Sequence, residues 1–260
     1  MQAHATVGSG ATSRVHLLIG GLPLRLHSRD SELLAAATER YSRFQGGLDD
    51  RFCIEVNREA DCDAKPPVFA CDFEGARVAA DRSSIRFSGV RHEYALDSLL
   101  RMFLSWALLP EQGFLLHAAT VVQRGKAYVF FGRSGAGKSS ISRLSPPGSV
   151  LTDEISLLKC VDGEWRAFGT PFWGEFRREG QNTSAPVAGF FRLVQSPSNR
   201  VERMRQAALL RALLPCVLFF SSRLADHDRL LEVLTEACQS AKGYNFEFQK
   251  NRSFWEVLLS

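Results

Sequence analysis

The eight residues Gly132-Arg133-Ser134-Gly135-Ala136-Gly137-Lys138-Ser139 match the pattern G-x-x-x-x-G-K-[S/T] at every fixed position. Each fixed residue answers a chemical need. The glycines let the backbone turn until several N–H groups point inward at phosphate oxygens. Lys138 supplies a mobile cation for the β- and γ-phosphates of a nucleoside triphosphate, and the Ser139 hydroxyl is the expected Mg²⁺ ligand. Arg133, Ser134, Ala136 and Ser140 complete the stretch expected to touch the nucleotide. The flanks suit this use. "AYVFF" is apolar and aromatic, as a buried strand should be, and "KSSISRL" reads as a short helix ended by Pro146-Pro147. A helix starting near Gly137 would add the positive end of its dipole.

Such a loop works with an acid close by. In "SVLTDE" an apolar strand ends in Asp153 and Glu154. A carboxylate here can hold Mg²⁺ through water or take the proton of an attacking hydroxyl. Neighbouring side chains on a strand point to opposite faces, so one acid can meet metal while the other meets substrate or structure. The expected metal ligands are thus Ser139, Asp153 and Glu154, with a merely solvent-facing acidic pair as the plainer alternative. Lys138 and Asp153 are close in sequence, leaving room for a short helix and one return strand. No N-K-x-D or L-S-G-G-Q motif occurs, which disfavours GTPase and transporter-ATPase readings. His117, in "FLLHAATVV", belongs to the strand before the loop strand. Were the two strands a hairpin, the imidazole would lie near the phosphates; an ordinary core histidine is the alternative.

A histidine strand with L-H-A, a hairpin, the phosphate loop and an acidic pair shortly after it together resemble the HPr kinase/phosphorylase family and the wider group of HPr-kinase-like proteins. The nucleotide fold of these proteins is similar to that of ATP-dependent phosphoenolpyruvate carboxykinase. "GTPFWGEF", Gly169 to Phe176, looks like their G-x-P-x-x-G segment. The resemblance covers roughly residues 114–176. It implies a P-loop domain with a mixed sheet, ATP and Mg²⁺ as cofactors, and transfer of the γ-phosphoryl group to a hydroxyl of a protein, peptide or small molecule. Carried over residue by residue, Lys138 and Ser139 hold triphosphate and metal. Asp153 is the base for the incoming hydroxyl, Glu154 a metal or substrate contact, and His117 the histidine beside the site. Here the pair is Asp-Glu, and Ala118 follows the histidine where the family has glycine. The alternative reading is a non-catalytic ATP-binding regulatory module. Carboxykinase chemistry ranks lower, since it would need further metal-binding histidine and lysine positions. Arg177 and Arg178 could neutralise phosphate charge or be a solvated basic loop. Phe172, Trp173 and Phe176 could meet a base or belong to the core, and residues 175–189 could form a lid or an inert connection.

These groups must be carried by an ordinary globular frame. Of the 260 residues 45% are hydrophobic and 23% charged, enough for a core and against disorder. A net charge of +4 is too weak to argue for nucleic acid. Six cysteines without a C-x-x-C pair read as free thiols of a reducing cytoplasm. The first residues lack a basic start with an apolar run, and no apolar stretch suffices for a bilayer, so a cytoplasmic protein is expected. The texture predicts an α/β chain, α+β overall, in two parts. Residues 1–110 form a smaller strand-rich α+β domain: a strand pair at "RVHLLIGGLPLRLHS", a helix from Asp30 to Phe44, an antiparallel meander, and a helix Ser98–Leu109 capped by Asp97. Residues 111–260 form the nucleotide domain.

Overall fold

In the computed structural model, which describes residues 13–47, 51–58, 75–78, 84–88, 90, 95–146, 148–174 and 180–259, the chain divides into two compact units. The division falls between Ser98 and Leu99, with Ile19–Gly21 grouped with the second unit.

The first unit holds a five-stranded sheet. Its strands are β1 (Ser13–Ile19), β2 (Leu22–Ser28), β3 (Phe52–Val56), β4 (Gly75–Val78) and β5 (Ser84–Ser88), in the order β1-β2-β3-β5-β4. Strand β2 alternates buried and half-buried residues along its length, the period-two signature of a strand with one face in a core. The helix α1 (Ser31–Arg40) starts where Asp30 Oδ1 accepts the Leu33 N–H at 2.9 Å, and it buries Leu33, Leu34 and Ala37. A 3₁₀ turn over Ser42–Phe44 continues it. The sheet differs from the meander expected above. Among the described residues, β2 pairs with β3 and β3 with β5 in parallel, and only β4–β5 of the expected set is antiparallel; much of the expected meander, including most of "PVFACDFEG", lies outside the described residues. Alternation marks which face of a strand is buried but not the direction of its neighbour. Helix α2 (Ala95–Ala107) also begins earlier than expected, so Asp97 is no cap. Its carboxylate instead pairs with Arg40 and accepts the Tyr41 hydroxyl at 2.9 Å, all three groups being largely buried.

The second unit is built on a mixed sheet. It comprises β6 (Gly113–Gln123), β7 (Lys126–Phe131), β8 (Val150–Thr152), β9 (Ile155–Val161), β10 (Glu164–Phe168), β11 (Ser184–Gln195), β12 (Arg200–Arg203), β13 (Val217–Leu218) and β14 (Gly243–Phe248). The main order is β10-β9-β6-β7-β11-β14-β12. Strands β7, β11 and β14 run parallel, whereas β6–β7, β9–β10 and β12–β14 are antiparallel. The sheet curls until β10 also pairs with the start of β11. The alternation of β7 serves two cores. Val129 and Phe131 join Leu116 and Ala118 beneath α4 (Gln206–Leu213) and α5 (Leu224–Ser240), which contribute Leu209, Leu213, Val233 and Leu234. Phe130 faces the other way, among Phe191, Phe246 and Phe248. There α3 (Lys138–Leu144) adds Ile141, and α6 (Phe254–Leu259) adds Phe254 and Trp255. Burying an aromatic side chain on this scale stabilises the fold by about 1.5–3 kcal/mol each. Both faces of the central strands are therefore fixed, and their ends are held rigidly in space.

Candidate phosphate-loop site

Strand β7 ends at Phe131 and α3 begins at Lys138, so the glycine-rich run forms the connection between them. Gly135 and Gly137 adopt left-handed φ values of 77° and 116°. A side chain at Gly137 would press on the ring of Phe248, 3.1 Å away. The loop is braced from neighbouring parallel strands. Gln195, at the end of β11, donates through Nε2 to Gly135 O at 2.6 Å, and Phe248, at the end of β14, supports Gly137. The Lys138 ammonium donates to Gly132 O at 3.0 Å and Arg133 O at 3.4 Å, which holds it across the loop.

The acidic pair lies at a break in the sheet. Strands β8 and β9 follow one edge of β6 in line, β8 against Thr120–Val121 and β9 against residues 113–117. Asp153 and Glu154 occupy the gap between them. The break is stapled by hydroxyls: Thr152 Oγ1 and Thr170 Oγ1 both donate to Ile155 O, at 3.0 and 2.6 Å, and Ser156 Oγ donates to Ala118 O at 2.9 Å. On the other edge of β6, Ala118 lies opposite Phe131, the residue before the loop. One residue pair of β6, His117-Ala118, thus stands between the acids and the loop. His117 Nε2 lies 3.4 Å from Glu154 Oε1. Asp153 is buried, and its Oδ1 accepts the Gly174 N–H at 3.4 Å.

Electrostatics tie these groups together. Burial holds the His117 pKa below its ordinary value, and the charges of Lys138 and Arg101 push it the same way against the opposing carboxylate of Glu154. Burial also lowers the Lys138 pKa, while Cys216 and Glu154 oppose the shift. Near neutral pH the imidazole is therefore uncharged.

The G-x-P-x-x-G pattern had marked Gly169 and Gly174 without their steric reasons, and three contributors escaped the sequence reading: Gly180, Cys216 and Arg101. Gly174 has a steric reason to be glycine, since a Cβ there would lie 2.5 Å from Glu154 Oε2. Gly169 and Gly180 pinch the base of the same segment: a Cβ at Gly169 would fall 1.9 Å from Gln181 O, and one at Gly180 would fall 2.2 Å from Thr170 O. Cys216 precedes β13, which continues the β6 edge that β7 leaves at the loop: Val217 pairs with Leu116. Burial raises this thiol's pKa, against Lys138 and a backbone hydrogen bond from Gly132. Arg101, on α2, stands over the Phe172 ring, 5.1 Å from its centroid. A lone charge in the apolar run "SLLRMFLSWALL" was the signal available for it. Phe172 itself is fully buried and belongs to the core. Trp173 is half-buried. Phe176, Arg177, Arg178 and the first part of the 175–189 segment lie outside the described residues.

A glycine loop between a parallel strand and a helix, beside an acidic break in the same mixed sheet, defines this as a protein of mixed α/β fold with a candidate site at its strand ends. The chain belongs to the family described as SynChlorMet cassette protein ScmC, which matches residues 97–226, half of the chain. Among curated proteins nothing matches. Among solved structures, the HPr(Ser) kinase/phosphatase from Coxiella burnetii is similar over 46% of this chain and 87% of its own, at 14% identity and a TM-score of 0.26. Among the described residues no helix is long and apolar enough to cross a membrane.

Proposed function

We propose that this protein transfers the γ-phosphoryl group of ATP to a hydroxyl of a protein, peptide or small molecule. The observation that supports this reading is the 3.4 Å approach of His117 on β6 to Glu154 in the β8–β9 break, with Lys138 of α3 within electrostatic reach of both, beside a glycine loop of the phosphate-binding pattern. The residues from Gly132 to Ser140 cradle the triphosphate, with loop N–H groups and the Lys138 ammonium on its oxygens. Asp153 accepts the proton of the attacking hydroxyl. As that oxygen bonds to the γ-phosphorus, the bond to the β,γ-bridging oxygen breaks and ADP leaves with the electron pair. His117, uncharged near neutrality, stays beside Glu154 and keeps that carboxylate oriented. The hydroxyl of Ser139 and the carboxylates of Asp153 and Glu154 are hard oxygen donors of the kind that suits Mg²⁺, which takes few protein ligands and keeps waters and phosphate oxygens. Bound magnesium would neutralise charge on the phosphate chain.

The test uses labelled ATP with Mg²⁺ and serine-containing peptides or small hydroxyl compounds. Lys138→Ala is expected to abolish nucleotide binding, and Asp153→Asn to keep nucleotide and lose transfer. A Lys138→Ala protein that binds ATP like the wild type refutes the placement. Binding without transfer to any acceptor would make the protein a regulatory nucleotide-binding module instead.

A further inference from the structure

Among the described residues, Arg101 on α2 is a cation without an anion. Its neighbours on the helix, Leu100, Phe103 and Leu104, are buried in the apolar core. Its Nε is buried with no hydrogen-bond partner, and among the described residues no carboxylate pairs with it. The guanidinium is held instead by the π-face of Phe172, at 5.1 Å. Phe172 is fully buried and lies between the pinched glycine Gly169 and the Gly174 amide that meets Asp153, so the platform is anchored to the acidic break. The guanidinium also acts electrostatically on His117, as Lys138 does, so both cations lie within electrostatic reach of the same imidazole. An unpaired, partly buried charge costs stability unless a ligand completes it. A planar guanidinium that meets a ring through its π-face can still offer its terminal N–H groups as a fork that matches the oxygens of a phosphoryl group.

We propose that Arg101 is a phosphoryl-binding residue: with Lys138 it contacts the oxygens of the γ-phosphoryl group during transfer, making α2 part of the site. This rests on the nucleotide reading above and goes beyond it, because neither the loop motif nor the acidic pair calls for this residue. The role requires no new chemistry. The arginine supplies donors where charge spreads over the equatorial oxygens, and these donors matter more for the transferring group than for ADP.

The experiment measures the affinity of the full chain for Mg·ADP, and for Mg·ADP with aluminium fluoride as a mimic of the transferring phosphoryl group. Variants are Arg101→Gln, which keeps a polar side chain on Phe172, Arg101→Lys, which keeps the charge but not the fork, and Lys138→Ala. The wild type is expected to prefer the fluoride complex. Arg101→Gln should bind Mg·ADP within about twofold of wild type and lose about 100-fold for the fluoride complex, as removal of one such donor does. Arg101→Lys should fall between. A residue that only packs on Phe172 would alter the melting temperature and leave the ratio of the two affinities unchanged, and that result overturns the proposal. So does a wild type with no preference for the fluoride complex. If the wild type binds no Mg·ADP, the nucleotide reading fails and this proposal with it. If nucleotide binds, depends on Lys138 and ignores Arg101, only the role of Arg101 falls.

Discussion

Two glycines of the segment "GTPFWG" make a paired experiment, because the same change, Gly to Ala, meets different neighbours. At Gly174 the new Cβ would lie 2.5 Å from Glu154 Oε2, 3.3 Å from its Cδ and 3.5 Å from its Cβ. The neighbour is the far end of a flexible side chain that is 32% exposed, so it can move. To restore ordinary contact the carboxylate oxygen must retreat by roughly 0.9 Å. An off-rotamer glutamate costs about 1 kcal/mol, and that is the expected loss of stability. A displacement of about 1 Å at reacting groups costs about 100-fold in rate, equivalent to about 2.7 kcal/mol of barrier. The site is therefore expected to suffer more than the fold. At Gly169 the Cβ would fall 1.9 Å from Gln181 O, a backbone atom whose residue is tied down through Gln181 N to Leu151 O at 3.0 Å. Neither partner can yield cheaply, and a loss of about 3 kcal/mol or more is expected.

The assay needs no knowledge of the acceptor. Urea unfolding gives the stability of each variant, and the NMR titration of the His117 ring reports where Glu154 is. In the wild type Glu154 opposes the lowering of the His117 pKa by burial, Lys138 and Arg101. Displacing the carboxylate removes that opposition, so Gly174→Ala must lower the His117 pKa further, as must Glu154→Gln. A Gly174→Ala protein with native stability and an unchanged His117 titration would show that the acid was not displaced, and the steric reasoning would fail. A Gly169→Ala protein as stable as wild type would equally refute the claim that the segment is clamped at its base.

Asp97→Ala should destabilise the first unit by about 3–5 kcal/mol, because it leaves the Arg40 guanidinium and the Tyr41 hydroxyl buried without their acceptor; chemical denaturation followed by a probe in that unit measures it. The pH dependence of stability should carry the signature of His117. Its folded pKa lies below the ordinary 6.5, so the unfolded chain binds the proton first, and stability is full above pH 6.5 and declines as the pH falls from there towards the folded value. Melting temperatures at pH 7.5 and 5.5 should differ less in His117→Gln than in wild type, and an equal difference would remove His117 from the account.

The contrast between what could and could not be read from the chain follows from range. The strand, glycine loop and short helix of residues 127–144 are contiguous, so local pattern suffices: apolar run, glycines where φ turns positive, and a proline after the helix. The hairpin β6–β7, with its two-residue Arg124-Gly125 turn, is equally local. The β9–β10 hairpin turns at Asp162-Gly163 for the same reason. What local pattern cannot encode is pairing across distance. Strand β13 fills the β6 edge opposite Leu115–Leu116 only because β7 has left it, and β10 reaches β11 only because the sheet curls. The parallel pairs of the first unit depend on crossovers that alternation does not describe. Arg101 belongs to this class. In sequence it interrupts an apolar helix and looks like a solvent-facing exception. Only the fold brings Phe172, more than seventy positions later, under its guanidinium and sets it within electrostatic reach of His117. A charge that interrupts an apolar pattern is expensive, and a helix retains one without a carboxylate partner when something else compensates it. The ring of Phe172 supplies part of that compensation and the proposed anion the rest, which is why the arginine, rather than the more legible lysine of the loop, is the sharper test of whether this sheet was shaped around a transferring phosphate.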